Sequence, residues 1–271
     1  MRPFPLLLSL LLCLLPHTAT AQCGGENTAF QSGERMTFEL FFNWSFIWVK
    51  VGTAEWKTTQ TSYAGRPAYR THLITSTNRR ADRFFVMRDT LTAYTDLQIS
   101  PLHYTKHALE GKTFRVDEVK YSYPNGKCAL TMNYSKNRGA VKSQQQTLSE
   151  CAYDMLSMML RARSFNPSAW KKGHRIPFLI TDGSKVERQH IVFRGRENFK
   201  VEGGNIRYRC LVFSFMEREK AEEKEIVRFF ITDDANHLPV RLDMNLKFGV
   251  AKAFLTSATG LRHPQTSIIK M

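Results

Sequence analysis

The chain has 271 residues and a formal net charge of +15. Hydrophobic residues make up 42% and aromatic residues 12% of it, a composition that excludes an intrinsically disordered protein and predicts a folded core. The positive charge favours anionic partners such as lipid headgroups, acidic glycans or nucleic acid, although a basic surface in contact with water explains it more simply.

The N-terminal residues 1–21 are typical of an export signal. Arg2 gives a positive start, residues 6–15 form an apolar run, and the A-T-A triplet at 19–21 resembles a cleavage site. The apolar run is too short to cross a hydrocarbon layer of ~30 Å. We therefore expect cleavage before Gln22, a mature chain with no transmembrane segment, and a location in which nucleic acid is a poor candidate partner.

Alternating apolar residues predict a first block of β-strands. The first two cover residues 36–42 and 46–57, with a bulge or close backbone approach expected at Gly52. Further strands are predicted over 68–76, 84–96, 102–110, 113–123 and 128–135, separated by turn signals. The polar residues 136–147 are expected to be mobile.

Aromatic residues around 41–56 exceed what one face of a strand pair requires. One apolar face would pack on a helix, and the other would line a cavity or face a partner; a thick two-sided core is the alternative. The predicted ligand contacts in this region are the side chains of Phe42, Trp44, Trp48 and Trp56.

The next segment predicts a helix over residues 148–163. Thr147 and Glu150 match a capping box, and Asn166-Pro167 would end the helix. The apolar stripe recurs at steps of three and four residues and comprises Leu148, Cys151, Ala152, Met155, Leu156, Met159 and Leu160. Because methionine is an adaptable side chain, Met155 and Met159 complete the set of predicted ligand contacts.

A second block of strands is predicted after the helix, over 176–181, 186–201, 206–216, 227–234 and 240–258. The charge run at 217–225 is expected to be a solvated loop or a short helix. Short strands with regular turn signals predict an antiparallel sheet, sandwich or barrel.

Four cysteines remain after removal of the signal: Cys23, Cys128, Cys151 and Cys210. An even number in an exported chain predicts disulfides, and all three connectivities are open. Cys151, on the predicted helix, and Cys210, inside a predicted strand, are alternatively plain buried thiols. The spacings match no metal site.

Common catalytic signatures are missing from the sequence: it has no nucleophile elbow, zinc-protease motif, phosphate-binding loop or C-x-x-C pair. We assign no catalytic residue, metal or cofactor. A basic patch is formed by Arg79, Arg80 and Arg83, and it would contact anionic headgroups or glycans. The alternative is that these residues belong to a solvated loop with no partner. If the protein is an enzyme, its candidate acids are the side chains of Asp89, Asp96 and Asp233.

Short motifs occur in a fixed order along the chain. They are Phe30 with Gly33-Glu34, Trp48-x-x-x-Gly52, Val86-x-Arg88-Asp89, Tyr94-x-Asp96, Pro101 with Glu110-Gly111, Asp154–Ser157 with Arg161, Gly173 with Ile176-Pro177, Tyr208-x-Cys210, Thr232–Asp234, Pro239-Val240 and Gly249. Through them, residues 30–258 resemble the exported bacterial proteins known as domain of unknown function 3108. The resemblance implies a largely β architecture, a helix inside a single domain, and the periplasm or outer-membrane periphery of a Gram-negative bacterium. It brings no established catalytic residues.

Together these observations predict one mainly β domain over residues 22–271. We expect a curved antiparallel sheet or half-open β-barrel with one amphipathic helix packed on its concave face. The predicted function is non-enzymatic: a binding or envelope-maintenance module that holds an apolar or amphiphilic ligand, such as a lipid, or a partner protein. A hydrolase acting on envelope glycans or lipids is the alternative.

Overall fold

The computed structural model describes residues 23–44, 47–201, 206–219, 222–246 and 249–270. The predicted signal segment lies outside these ranges. For Trp44 the backbone is described and the side chain is not. Among the described residues, no helix combines the length and apolar character needed to span a bilayer.

The first half of the fold is a run of antiparallel strands, each paired with the next one in sequence. In chain order they are β1 (Glu34–Trp44), β2 (Ile47–Tyr63), β3 (Arg66–Thr77), β4 (Met87–Thr95), β5 (Pro101–Glu110), β6 (Thr113–Ser122), β7 (Cys128–Lys136) and β8 (Lys142–Leu148).

The second half begins with a short strand and the helix, and then continues as a second antiparallel run. Its elements are β9 (Ala152–Tyr153), α1 (Met155–Arg163), β10 (Arg175–Thr181), β11 (Val186–Lys200), β12 (Ile206–Glu219), β13 (Glu222–Thr232), β14 (Pro239–Leu246), β15 (Gly249–Thr259) and β16 (Ile268–Lys270). β9 pairs with β10 in parallel, and β16 pairs with β12.

The two halves form one continuous sheet because β1 pairs with β15, with Leu40 opposite Ala253. The sheet ends at β8 on one side and at β9 on the other, and only residues 149–151 separate these two edges in the chain. This short link brings the edges towards each other, so the sheet is a nearly closed barrel. The predicted mainly β fold with one helix is thus confirmed.

The interruption predicted at Gly52 is also confirmed. The register between β1 and β2 shifts at this point, with Leu40 opposite Gly52 and Phe41 opposite Lys50. A Cβ atom on residue 52 would lie 2.2 Å from the carbonyl oxygen of Ser76 in β3. Only glycine therefore allows β3 to approach this closely.

The helix begins later than predicted, and the predicted capping box is wrong. Thr147 lies in β8, where it pairs with Ala129, because β7 offers residues 142–148 a full set of backbone partners. The helix starts after Asp154, whose Oδ1 accepts hydrogen bonds from the amides of Leu156 and Ser157, both at 3.0 Å. Residues 142–147, predicted to be mobile, are thus an edge strand.

Two further expectations about local structure are wrong. Cys151 is not on the helix but lies between β8 and β9. In the charge run at 217–225, the described residues 217–219 and 222–225 are neither a loop nor a helix: they form the paired ends of β12 and β13, where Glu217 lies opposite Lys224. The opposite charges of Glu217 and Lys224 at directly facing positions favour this pairing.

The helix packs inside the sheet, where it contacts β4, β9 and β10. Leu156 and Leu160 are fully buried in the main core together with inward-facing residues of the first half, such as Met36 and Leu130. Burial of each leucine contributes about 1.5–3 kcal/mol before conformational entropy is subtracted. Met155, by contrast, is 42% exposed.

Candidate binding cavity

A cavity of about 520 Å³ lies between α1 and the inner face of the barrel. Both halves of the sheet contribute to its wall, from Leu91 in β4 to Ile231 in β13. A volume of this size is in the range of small-molecule binding sites.

One face of α1 forms a flexible wall of the cavity. Met155, Met158, Met159 and Ala162 all line it, because residues three and four apart lie on the same side of a helix. Leu156 and Leu160, one position further on, point into the core instead. Unbranched methionine side chains can adapt to ligands of different shape.

The opposite wall is aromatic. Phe213 and Phe215 alternate along β12, and Phe229 lies directly opposite Phe213 in β13, so all three rings share the inner face of the sheet. The ring centroid of Phe215 lies 6.0 Å from that of Phe178 in β10. This wall buries a large apolar area without polar atoms.

One end of the cavity carries charged side chains from several strands. Arg115 connects two carboxylates, with 2.7 Å from its Nε to Asp117 Oδ1 and 3.0 Å from its Nη2 to Asp182 Oδ2. Burial raises the pKa of Asp117 in spite of Arg115. For Asp182, burial acts to raise the pKa, but hydrogen bonds from Ser184 and Arg115 outweigh it and lower the pKa.

We call this end the charged mouth; its lining residues are Lys106, Arg115, Asp117, Asp182, Lys185 and Glu217. It contains both cations and anions. A polar group of either sign therefore finds a complementary partner there, while an apolar group is better accommodated between the methionines and the phenylalanines.

A buried ion pair fixes the far end of the helix. Arg163 donates to Glu34 in β1 through Nη1 at 2.6 Å and Nη2 at 2.8 Å, and both residues are almost fully buried. Arg163 also donates to the carbonyl oxygen of Asn236. A bidentate pair of this kind sets the position and orientation of α1, and with it the width of the cavity.

The sequence-predicted ligand contacts divide into two groups. Met155 and Met159 line the cavity. Trp56 does not: it is 4% exposed in the core, and its indole donates to Thr58 Oγ1 at 3.0 Å. Trp48 also lies elsewhere, with its ring 4.0 Å from Lys252 Nζ.

Phe42 packs against the backbone of Gly249, away from the cavity. A ligand-binding role for any of these side chains remains a prediction. The aromatic wall of β12 and β13 was missed, although the alternation of Phe213 and Phe215 in the sequence is the signal that could have indicated it.

Among the candidate cysteines, Cys23 and Cys151 form a disulfide with a Cα–Cα distance of 5.1 Å. Cys128 and Cys210 are buried free thiols, and burial raises the pKa of Cys210 to about 12. The Cys128 Sγ lies within 4.8 Å of both disulfide sulfurs. A disulfide is typical of proteins in an oxidising, exported compartment.

The three candidate acids do not meet in one place. Asp96 Oδ1 caps a turn by accepting from the amides of Gln98 and Ser100. Asp233 pairs with Arg196 at 3.1 Å. Asp89 lies in β4, and none of the three lines the cavity.

Comparison with known proteins identifies family and fold. A family model described as "Protein of unknown function (DUF3108)" matches residues 35–256. The crystal structure of a β-barrel-like protein of domain of unknown function DUF1849 from Brucella abortus is similar, with a TM-score of 0.56 and 12% identity over 85% of this chain and 98% of that chain. At this identity the likeness shows a shared fold alone. No curated protein matches the chain.

Proposed function

We infer a ligand-binding function for this chain, which belongs to the DUF3108 family of proteins of unknown function. The cavity binds one amphiphilic molecule, such as a lipid or a free acyl chain, between α1 and the inner face of the barrel. The protein works without catalysis as a binding module of the cell envelope, in the periplasm or at the periphery of the outer membrane.

The single observation that carries this proposal is the composition of the cavity wall. Methionines on one side and phenylalanines on the other enclose about 520 Å³, and most of the charged groups that line the cavity gather at one end, while Arg163 at the other end is paired with Glu34. An acyl chain matches the apolar part, and its headgroup matches the charged mouth. Binding would remove apolar surface from water at about 25 cal/mol per Å².

Hydrolysis of glycans or lipids is less well supported, because the candidate acids are dispersed. Asp96 and Asp233 have local structural partners. Asp89 lies near Glu110, which does not line the cavity either. No pair of these acids flanks a space in which a substrate bond could lie.

The direct test is titration of the protein with a fluorescent fatty acid. We expect saturable binding of one molecule per chain. Val227 lines the cavity, so Val227→Trp places an indole ring inside it and should weaken binding at least about tenfold.

Thr90→Trp is the matched control, since Thr90 is exposed and lies next to the cavity residue Leu91. This variant should bind like the unmodified protein. If the unmodified protein fails to bind, or if both tryptophan variants bind equally well, the cavity is not the ligand site.

A further inference from the structure

One end of the barrel carries most of the exposed large apolar side chains among the described residues. The β1–β2 and β14–β15 hairpins meet there, because β1 pairs with β15 and the tips are marked by Trp44 opposite Ile47 and Leu246 opposite Gly249. We call this the hairpin end. Since successive strands are antiparallel, the connections β3–β4, β5–β6, β7–β8, β10–β11 and β12–β13 lie at the same end.

The segment 78–86 between β3 and β4 is fastened to the β1–β2 hairpin. The amide of Asn78 donates to Val51 O at 2.8 Å, and its side chain donates to Lys50 O at 2.9 Å. On its other side, the amide of Gly111 in the β5–β6 turn donates to Val86 O at 2.7 Å. The hairpin end is therefore one continuous surface rather than a set of separate loops.

Exposed apolar residues are concentrated on this surface. Eleven large apolar side chains among the described residues are exposed to solvent, and seven of these eleven lie at the hairpin end. They are Ile47, Trp48, Val49, Phe84, Phe85, Val141 and Leu246. Phe84 is 73% exposed and Ile47 69%. Such a concentration marks an interaction surface rather than chance exposure.

Positive charge surrounds these apolar residues. Arg79, Arg80 and Arg83 are exposed in the segment 78–86, and no carboxylate among the described residues forms an ion pair with any of the three. The acidic neighbours are already neutralised: Asp82 by Arg88 at 2.5 Å and Glu39 by Lys50 at 2.5 Å.

We propose that the hairpin end docks on the surface of a bilayer that contains anionic lipid. Apolar hairpin tips enter the boundary between headgroups and acyl chains, while Arg79, Arg80 and Arg83 contact the lipid phosphates. Trp48 lies beside Lys252. Tryptophan and lysine side chains each combine an apolar part with a polar end, and such side chains favour the boundary between lipid and water. The apolar residues come from several neighbouring turns of this continuous surface, which suits insertion into lipid.

This surface surrounds the charged mouth of the cavity. Arg115 lies near the start of β6, just after the β5–β6 turn, Asp182 and Lys185 lie in the β10–β11 turn, and Glu217 lies near the tip of β12. Docking would therefore turn the mouth towards the bilayer. The docking proposal does not depend on the cavity being occupied, and its test requires no bound ligand.

The test is co-sedimentation of residues 22–271, which include every described strand, with vesicles; the apolar run at 6–15 would itself bind lipid and is left out. Vesicles of phosphatidylcholine are compared with vesicles that also contain phosphatidylglycerol. We expect binding to the anionic vesicles only, with a decrease as salt screens the charges. Arg79→Glu/Arg80→Glu/Arg83→Glu should lower the partition coefficient at least about tenfold.

The matched control reverses three exposed charges at the opposite end: Arg66→Glu/Arg70→Glu/Lys127→Glu. It has the same net charge as the first variant and should bind nearly as well as the unmodified protein. Trp48→Ser/Phe84→Ser should also weaken binding while keeping its salt dependence, and this variant decides the question if the charge reversals impair folding.

Three results would overturn the proposal. They are the absence of binding to anionic vesicles, equal binding to both vesicle types, and an equal loss for the two charge-reversed variants. Binding to an anionic polysaccharide without binding to vesicles would assign the basic patch to a glycan partner instead.

Discussion

Asp89 is a half-buried carboxyl group in β4 that lies near the side chain of Glu110, and its Oδ1 is buried without a hydrogen-bond partner among the described residues. Burial, and then the negative charge of Glu110, raises the pKa of Asp89 to about 6. Lys106 lies close enough to oppose this shift, and it also pairs with Glu110 at 3.1 Å. The folded protein therefore keeps the Asp89 proton at a pH where an unfolded chain has lost it.

This shift makes stability depend on pH in a defined direction. Between about pH 4 and pH 6 the folded state binds more protons than the unfolded state, so the free energy of unfolding falls as pH rises. Asp89→Asn removes the titration and should gain about 1 kcal/mol relative to the unmodified protein between about pH 4 and pH 7, once the shift is discounted for partial exposure. Denaturant unfolding at both pH values measures the free energy of unfolding of the two proteins. The same change in this free energy with pH in both proteins would contradict the prediction.

The helix α1 depends on its N-cap more than most helices do, because it has only nine residues. Asp154 is fully buried and satisfies two amides of the first turn. Burial raises the pKa of Asp154, while hydrogen bonds from Ser157 and Leu156 lower it in part. The cap also holds Met155, Met158 and Met159 in position as one wall of the cavity.

Substitution of this cap should separate its geometry from its charge. Asp154→Ala leaves two buried amides without an acceptor and should lower the free energy of unfolding by about 1–2 kcal/mol. Asp154→Asn keeps an acceptor oxygen and should cost clearly less. Both values come from denaturant titration of the two variants; equal losses would mean that capping by Oδ1 does not stabilise the helix.

The sequence predicts local elements well where one pattern dominates. Strict alternation, as in Met36 to Phe42, correctly predicts strands. At residues 147–150 two patterns coincide: Thr147 and Glu150 match a capping box, but Thr147 also lies near the end of a chain segment, 142–148, that pairs with β7. Nothing local decides between these outcomes, because the decision depends on a partner strand in another part of the chain.

At the scale of the whole molecule, the remaining features depend on distant contacts. The pairing of β1 with β15 joins the beginning of the chain to its end. The disulfide between Cys23 and Cys151 joins the beginning of the chain to its middle. Composition allows three disulfide connectivities and several sheet orders, so neither pairing follows from the sequence. Met155 and Met159 could be predicted as site residues from the helical pattern. The alternation of Phe213 and Phe215 indicates one apolar strand face, but it does not show that Phe229 lies opposite Phe213 on the wall that faces the helix.

The disulfide ties the N-terminal segment to the link between the two sheet edges, across a sequence separation of 128. Cys23→Ser/Cys151→Ser should lower the free energy of unfolding by about 2–5 kcal/mol, because the unfolded chain regains a long unconstrained loop. The double variant is needed because Cys128 lies near enough to pair with a single remaining cysteine.

Denaturant unfolding without reductant measures this effect. Cys210→Ser is the control, since Cys210 is a buried thiol outside the disulfide and its loss should change packing only. A double variant as stable as the unmodified protein would show that the crosslink contributes nothing to the barrel.

Ligand occupancy of the cavity between α1 and the aromatic wall is the central claim, and native mass spectrometry of the purified protein tests it most directly. We expect a population of the unmodified chain to carry the mass of one amphiphile, identified by extraction as a lipid or a free acyl chain. Val227→Trp should be found without this mass, and Thr90→Trp should retain it. A chain that is always free of ligand, and that also takes up no added fatty acid, would contradict the claim.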